Sequence, residues 1–296
     1  SRMVGPSMSS APVAAVDIGT NSVRLLISGV GVEIRRSVVT GLGKGMARTG
    51  RLSADGRSAT LEVLSGYRRL MEEAGVAAAR AVATSASRDA ADGPEFVAEM
   101  AGVLGVEPEM IAGAEEAALS YAGATAGLEG EDWVVVDIGG GSTEVIDRTG
   151  GASFDVGSVR VTDRFFAERP VPAPRLSEAR EWARASLEAE ARGMHVVGVA
   201  GTWTSLASLE WCLQPYADAD VHHTELSAAA VEGWVDQLAT LPIEETAALP
   251  GLDPARAPVI LGGAVVAATC LEVLGADHVL ISTHDLLDGV VEGLRS

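Results

Sequence analysis

The sequence predicts an α/β fold made of two duplicated halves, each with a mixed β-sheet flanked by helices. A short glycine-containing segment occurs twice, 120 positions apart, and apolar strand-like runs precede and follow each copy. Strand-like and helical runs then alternate along both halves, as in sheets that helices cover. The 296 residues are enough for two domains with sizeable cores. We place the first domain at residues 11–124 and the second at 125–296, with the final helix as a candidate to pack back on the first domain.

The repeated segment begins with an aspartate and continues into a tight glycine turn. It reads DIGTNS at residues 17–22 and DIGGGST at residues 137–143. Glycine lets the backbone approach a ligand closely, and successive amide groups of a turn form an anion-binding nest. An aspartate beside such a nest repels a phosphate, so it fits a divalent cation that bridges carboxylate and phosphate. The repeat therefore indicates phosphoryl chemistry in a cleft between paired turns; the alternative is two hairpin turns without a ligand.

The other elements follow from apolar periodicity and from the positions of glycine and proline. In the first half, strands are predicted near 13–18, 23–30, 32–39, 79–84 and 109–112. Ser53 is the predicted N-cap of a helix that runs to about residue 73, and further helices are expected near 87–91, from Pro94 to Gly102 or Gly105, and near 113–127. In the second half, strands are predicted near 133–136, 143–146, 152–156, 194–200 and 278–282. Helices are expected near 177–191, 202–213, 227–239, 258–275 and from residue 284.

Composition and charge exclude several classes of protein. The net charge of −19 argues against a nucleic-acid-binding protein with a broad basic surface. No apolar run approaches the roughly 20 residues of a membrane helix, and residues 1–12 lack the hydrophobic segment of a signal peptide. We therefore expect a cytoplasmic protein without a membrane partner, in which Cys212 and Cys270 are buried free thiols. An acidic protein that binds phosphates must concentrate its few cations at the site.

Six segments in this order resemble the exopolyphosphatase/guanosine pentaphosphate phosphohydrolase family. They are VDIGTNSVRLL (16–26), ATSASRDA (83–90), IAGAEEA (111–117), VDIGGGSTE (136–144), VAGT (199–202) and STHDLLDG (282–289). The chain is similar to the short, two-domain form of that family, which lies within the actin and sugar-kinase superfamily. The resemblance implies two actin-like (ribonuclease H-like) domains with the active site in the interdomain cleft. Relatives often carry an arginine where this chain has Gly41, which implies that one phosphate contact is missing here.

The same resemblance implies hydrolysis of the terminal phosphoanhydride bond of inorganic polyphosphate, with Mg²⁺ (or Mn²⁺) as the cofactor. Guanosine pentaphosphate is the alternative substrate, because it presents the same kind of terminal bond. Two further hypotheses stay open: an ATP-dependent kinase of the same superfamily, and a non-catalytic protein that binds polyphosphate or an alarmone. A homodimer is compatible with the sequence and is not indicated by it.

Amide groups and cations around the substrate oxygens form the predicted substrate-binding set. Phosphoryl transfer to water depends mostly on positioning and charge stabilisation, so the two glycine turns come first. Arg24 follows the first turn, with a solvent-facing strand residue as the alternative interpretation. Lys44 is the only lysine among 22 basic residues and lies in a glycine-rich loop, although codon usage is the alternative explanation for so little lysine. The complete set is Gly19, Thr20, Asn21, Ser22, Arg24, Lys44, Gly139, Gly140, Gly141, Ser142 and Thr143.

Carboxylates and one arginine form the predicted metal-binding and catalytic set. The predicted Mg²⁺ ligands are Asp17, Asp137 and Glu144. For Glu144, which returns across the second hairpin, the alternative is a solvent-facing strand residue. Glu115 and Glu116 both suit the dipole at a helix start, but successive helical side chains point about 100° apart, and the family resemblance selects Glu116 as the general base. Arg88, after a predicted strand, is the catalytic arginine, because its guanidinium can bind a phosphate bidentately.

Overall fold

The computed structural model describes residues 11–130, 132–187 and 195–295 and has an α/β architecture with two mixed β-sheets. Its strands are β1 (Val13–Ile18), β2 (Ser22–Gly29), β3 (Val32–Val39), β4 (Ala78–Ala83), β5 (Pro108–Met110), β6 (Trp133–Ile138), β7 (Thr143–Asp147), β8 (Gly150–Phe154), β9 (His195–Val199), β10 (Glu225–Ser227) and β11 (His278–Ile281). Its helices are α1 (Met46–Thr49), α2 (Ala54–Glu73), α3 (Ser85–Asp89), α4 (Gly93–Leu104), α5 (Gly113–Thr125), α6 (Ser158–Phe165), α7 (Ala173–Ser186), α8 (Ala200–Glu210), α9 (Asp218–Val221), α10 (Ala228–Thr240), α11 (Ile243–Ala247), α12 (Ile260–Leu274) and α13 (Leu286–Arg295). No helix in these described ranges has the length and hydrophobicity that crossing a membrane requires.

Contacts divide the chain into two compact units. The first unit runs to Ala112 and also includes α13, and the second unit runs from Gly113 to Asp285. Helix α5 groups with the second unit because it packs on β6, β7 and β8. The predicted division at residues 124 and 125 differs from this one by that helix.

The first unit contains a five-stranded sheet with the order β3-β2-β1-β4-β5. Strand β2 runs antiparallel to β1 and β3, whereas β4 runs parallel to β1 and β5. Helices α2 and α4 contribute Leu64, Phe96 and Met100 to the core against this sheet, and α13 packs on β1 and β2. Because helices cover the centre of the sheet, all six residues of β1 are buried.

The second unit repeats this topology. Its sheet has the order β10-β11-β9-β6-β7-β8, so β6, β7, β8, β9 and β11 take the places of β1 to β5, and β10 is an additional edge strand. Strand β6 is antiparallel to β7 and parallel to β9, as β1 is to β2 and β4. The apolar helix α12 lies in the main core, while α5 packs on the sheet through a smaller cluster that includes Ala117, Val135 and Ile146. The prediction of a duplicated α/β domain with mixed sheets is confirmed.

Local sequence signals set several element boundaries. Ser53 caps α2, and its hydroxyl accepts a hydrogen bond from the N–H of Gly56, as predicted. Pro94 lies in the first turn of α4, and Gly105 ends that helix with a φ of 78°, a conformation that favours glycine. Helix α2 therefore begins at its predicted cap, and α4 ends at Gly105, one of the two predicted ends, and not at Gly102.

The structure also departs from the prediction. The elements α1, α6, α9, α11 and β10 do not follow from the periodicity; in α6, three of eight residues are β-branched, which lowers helix propensity. The prediction that Cys212 is buried is wrong, because this residue follows the last turn of α8 and is exposed. Cys270 is buried in α12, and both thiols are free. The predicted helix end near 191 and strand start near 194 lie outside the described residues.

Candidate active site

The two predicted phosphate-binding turns have the same backbone geometry. The N–H of Gly19 donates to the carbonyl of Ser22 at 3.0 Å, and the N–H of Gly139 donates to the carbonyl of Ser142 at 3.0 Å. A Cβ atom would lie 3.1 Å from the carbonyl oxygen at Gly19 and 3.2 Å from it at Gly139, so a side chain would crowd this bond. The repeat in sequence is therefore a repeat in conformation, and anion binding by the turn amides stays a prediction.

The glycine-rich loop that contains Lys44 lies against the first turn. The N–H of Gly43 donates to the carbonyl of Thr20 at 2.7 Å, and a Cβ at Gly43 would lie only 2.3 Å from Cγ2 of Thr20. The hydroxyl of Thr20 is also 2.8 Å from that of Ser85, the first residue of α3. The exposed Lys44 therefore follows a backbone contact to the turn, and the structure brings these two predicted binding segments together.

Helix α6 holds the second turn. The N–H groups of Ser158 and Arg160 donate to the carbonyls of Gly139 and Gly140 at 3.0 and 3.1 Å. The Nε atom of Arg160 donates to the carbonyl of Gly141 at 2.8 Å. First-turn amides of a helix have no partner within the helix, so the turn carbonyls satisfy them. Arg160 is a supporting residue that the sequence analysis missed, because its role depends on a helix that the periodicity does not show.

Asp17 and Arg24 form an ion pair across the first hairpin. They are directly opposite in the pairing of β1 with β2. Nε and Nη2 of Arg24 lie 2.8 and 2.7 Å from the same oxygen of Asp17, Oδ2. The side chains are 15% and 5% exposed, respectively. The interpretation of Arg24 as a solvent-facing strand residue is therefore wrong, and the predicted ligand Asp17 is engaged by a guanidinium.

The second hairpin places two carboxylates at the equivalent positions. Asp137 and Glu144 are directly opposite in the pairing of β6 with β7, and they are 6% and 1% exposed. Glu144 is therefore not a solvent-facing residue. Like charges directly opposite on neighbouring strands are destabilising, and burial strengthens the repulsion. A cation between the two carboxylates would offset it.

Serine hydroxyls position both carboxylates. The hydroxyl of Ser120, on α5, donates to Oδ2 of Asp137 at 2.6 Å, and that of Ser153, on β8, donates to Oε1 of Glu144 at 2.6 Å. Helix α5 begins directly against Ser153, because a Cβ at Gly113 would lie 2.6 Å from the Cβ of Ser153. These serines are further supporting residues that the sequence does not reveal, since their partners are distant in the chain.

Glu116 lies on the face of α5 that carries Ser120. The two residues are four positions apart, so they are neighbours on the helix surface. Glu116 is 8% exposed, whereas Glu115 is exposed. The structure therefore directs Glu116 towards the sheet that contains Asp137. This burial difference agrees with the choice of Glu116, whose role as a base stays a prediction.

Arg88 lies on α3 in the first unit, after β4. Its Nη1 atom donates to the carbonyl of Ile111 at 3.0 Å, and its Nε atom is 3.6 Å from Oδ1 of Asp89. Its side chain is 30% exposed. The backbone contact fixes the guanidinium while part of its surface remains open to solvent, so its predicted contact with substrate stays compatible with the structure.

The donor chemistry of the second unit fits Mg²⁺. Asp137 and Glu144 supply the carboxylate oxygens that this ion prefers, and Mg²⁺ in phosphoryl-transfer enzymes is often held by one or two carboxylates together with water and substrate phosphates. Within residues 11–130, 132–187 and 195–295 no group of three or more His, Cys, Asp or Glu side chains could hold a metal ion. The contacts of Asp17 fit less well, because a guanidinium competes with a cation for its Oδ2.

Comparisons with known proteins identify the family of the chain. A model of the Ppx/GppA phosphatase family matches residues 30–295. The chain is 36% identical to exopolyphosphatase 2 of Mycobacterium tuberculosis over 312 aligned residues, which cover 95% of this chain and 98% of that protein. A solved exopolyphosphatase-like protein has a TM-score of 0.89 and 30% identity, with 96% of this chain and 99% of that chain covered. The type II variant of the Aquifex aeolicus Ppx/GppA phosphatase has a TM-score of 0.73 and 32% identity, with 95% and 99% covered. The chain therefore belongs to the Ppx/GppA phosphatase family and is a phosphoanhydride hydrolase.

Proposed function

We propose that this protein is a Mg²⁺-dependent exopolyphosphatase, which removes the terminal phosphate of inorganic polyphosphate. The observation that carries the proposal is the buried, directly opposed pair of Asp137 and Glu144 beside the second glycine turn. Such a pair suits a cation that contacts an anionic substrate. The name of the Mycobacterium tuberculosis relative supports polyphosphate as the substrate.

The proposed reaction is an attack by water on the terminal phosphorus. The oxygen of water forms a bond to phosphorus while the bond to the bridging oxygen breaks, so that orthophosphate leaves and the chain becomes one phosphate shorter. Glu116 accepts the proton of the attacking water as general base. Asp137 and Glu144 would hold Mg²⁺, which supplies neutralisation of the phosphate charge when bound.

Binding of the substrate uses the turns and the arginines. The transition state of phosphoryl transfer is loose, with charge spread over the terminal oxygens, so donors that are fixed in advance lower the barrier. The N–H groups of Gly19 and Gly139 already donate to the carbonyls of Ser22 and Ser142, so the later amides of the two turns supply the neutral donors, while Arg24 and Arg88 supply charged ones. Helix α6 and the loop containing Gly43 donate hydrogen bonds to the carbonyls of the turns. These bonds hold the amide donors of the turns in place before the substrate binds.

Phosphate release from three substrates tests the proposal. We would incubate the protein with Mg²⁺ and, separately, polyphosphate, guanosine pentaphosphate and ATP, and measure kcat/KM for each. Polyphosphate is expected to give the highest value, and chelation with EDTA should abolish release until Mg²⁺ or Mn²⁺ is restored. A higher kcat/KM for guanosine pentaphosphate would instead make it the substrate. Full activity in EDTA would remove the cation from the mechanism.

A further inference from the structure

The duplication makes the two hairpins directly comparable, and they differ in the charge of the residue opposite the aspartate. The residue opposite the aspartate is Arg24 in the pairing of β1 with β2, and Glu144 in the pairing of β6 with β7. The aspartates, the turns and the strand directions are otherwise equivalent. Asp17 therefore faces a fixed positive charge, and Asp137 faces a negative one.

Contacts of its side chain and of the neighbouring backbone hold Arg24 in place. Two of its nitrogen atoms contact Oδ2 of Asp17, at 2.7 and 2.8 Å, and the pair is largely buried. The hydroxyl of Tyr67, on α2, donates to the carbonyl of the preceding residue, Val23, at 3.0 Å. Burial raises the pKa of Tyr67, so this hydroxyl stays protonated and remains a donor. A cation that is already ordered loses little conformational entropy when it binds a ligand.

We propose that Asp17 is a positioning residue that holds Arg24 for contact with a substrate phosphate, and that Asp17 is not a ligand of the divalent cation. This inference rests on the proposed function for the identity of the substrate. In the first unit the arginine is a built-in cation, and a divalent ion at Asp17 would have to compete with it for Oδ2 and overcome its repulsion. In the second unit two carboxylates are directly opposite each other and supply the oxygen ligands that Mg²⁺ prefers, so we assign the external cation to that unit.

A double-mutant cycle tests the link between the two residues. The variants are Asp17→Asn, Arg24→Met and the double substitution, with kcat and KM measured on whichever phosphoanhydride the wild type hydrolyses. If Asp17 acts through Arg24, the single changes should each lower kcat/KM by about tenfold or more, and the double variant should be no worse than Arg24→Met. Losses that multiply in the double variant would overturn the proposal. The choice of substrate keeps this test independent of whether polyphosphate itself is hydrolysed.

Metal binding without substrate provides a second readout. Mn²⁺ binding, measured by electron paramagnetic resonance, should be the same in the wild type and in Asp17→Asn, and should be weakened strongly in Asp137→Asn. An affinity for Mn²⁺ about tenfold lower in Asp17→Asn, the scale of losing a ligand contact, would show that Asp17 is a ligand and refute the inference.

A matched ion pair in the same unit controls for a purely structural effect. Asp92 contacts Arg57 at 3.3 Å, and its side chain is 5% exposed, as is that of Asp17. Asp92→Asn should lower thermal stability without an equal loss of kcat/KM. If Asp17→Asn loses no more activity than Asp92→Asn at the same loss of stability, Asp17 is structural only, and the inference fails.

Discussion

Glu115 and Glu116 are adjacent in sequence, yet α5 gives their side chains different environments. Glu116 is 8% exposed and lies one turn before Ser120, whose hydroxyl contacts Asp137, whereas Glu115 is exposed. The helix dipole favours both carboxylates equally, so only the helical rotation distinguishes them. At the residue scale, chemistry therefore depends on which face of α5 a side chain occupies.

Glu116→Gln should lower kcat by at least about two orders of magnitude, the usual scale for the loss of a general base. Binding of substrate should persist, because the change is isosteric and removes a negative charge near an anion. Glu115→Gln is the matched control and should stay close to the wild type. Steady-state kinetics of both variants checks this, and a severe defect in Glu115→Gln with a mild one in Glu116→Gln would reverse the assignment.

Ser120→Ala should weaken the cation site without touching a carboxylate. The hydroxyl of Ser120 fixes Oδ2 of Asp137 at 2.6 Å, and losing such a supporting contact typically costs about 10–100-fold in metal affinity or activity. We expect a higher Mg²⁺ concentration for half-maximal activity. Ser58→Ala, which removes a helical serine hydroxyl that donates to the carbonyl of Ala54, is the control. An unchanged Mg²⁺ requirement in Ser120→Ala would exclude the positioning role.

At the scale of elements, the sequence predicts those strands and helix ends that depend on residues close by in the chain. The three strands of the first hairpin region, the cap at Ser53 and the glycine end of α4 depend on neighbouring residues, and the structure has them. Helix α6 depends instead on donors at its start that bond to the carbonyls of Gly139 and Gly140, about twenty positions earlier in the chain. For the same reason, the apolar periodicity does not indicate Arg160, which donates to the carbonyl of Gly141 in the second turn. The turns of the candidate site were therefore predictable, and the residues that brace them were not.

The junction between β9 and α8 carries backbone strain. Ala200 has a φ of 70°, in the left-handed region that costs a residue with a Cβ about 1–2 kcal/mol. Ala200→Gly should therefore raise the free energy of unfolding, by about 1 kcal/mol after the extra entropy of unfolded glycine is subtracted. Ala207→Gly, a buried position inside the same helix, should lower it. Urea denaturation measures both, and a less stable Ala200→Gly protein would argue against strain at this junction.

Asp92 lies directly before α4 and contacts Arg57 on α2 and the N–H of Leu52, and these contacts make stability sensitive to acid. Burial raises the pKa of Asp92, but hydrogen bonds from the N–H of Leu52 and from its own N–H, with the charges of Arg51 and Arg57, lower it below 3.8 overall. The stabilisation is therefore present above pH 3.8 and is lost as the pH falls towards the folded-state pKa. The stability difference between the wild type and Asp92→Asn should shrink between pH 6 and pH 3. A difference that is constant in urea titrations across this range would contradict the linkage.

At the scale of the whole molecule, the net charge of −19 opposes a polyanionic substrate. Local cations offset this field only if they are placed at the site, and the structure shows that such cations differ in how they are held. Arg24 is fixed by Asp17 and Arg88 by the carbonyl of Ile111, whereas Lys44 is exposed on its loop. Composition predicts that few cations must suffice, but it does not tell which of them are rigid, because that depends on contacts distant in sequence.

Lys44→Ala should impair long substrates more than short ones. An exposed, flexible ammonium on a loop that packs against Thr20 suits phosphates beyond the terminal one, so chains too short to reach it should be hydrolysed normally. Arg88→Ala is the comparison. Its guanidinium is fixed, and the loss of a charged hydrogen bond to the transferred group should cost about 1.5–3 kcal/mol in kcat/KM at every chain length. Because exposed charges are screened, the Lys44 effect should also decline with added salt.

We would measure kcat/KM over polyphosphates of graded length at two salt concentrations. A Lys44→Ala defect that is equal at all lengths would refute the distal role, since a contact to the terminal phosphate would then account for it.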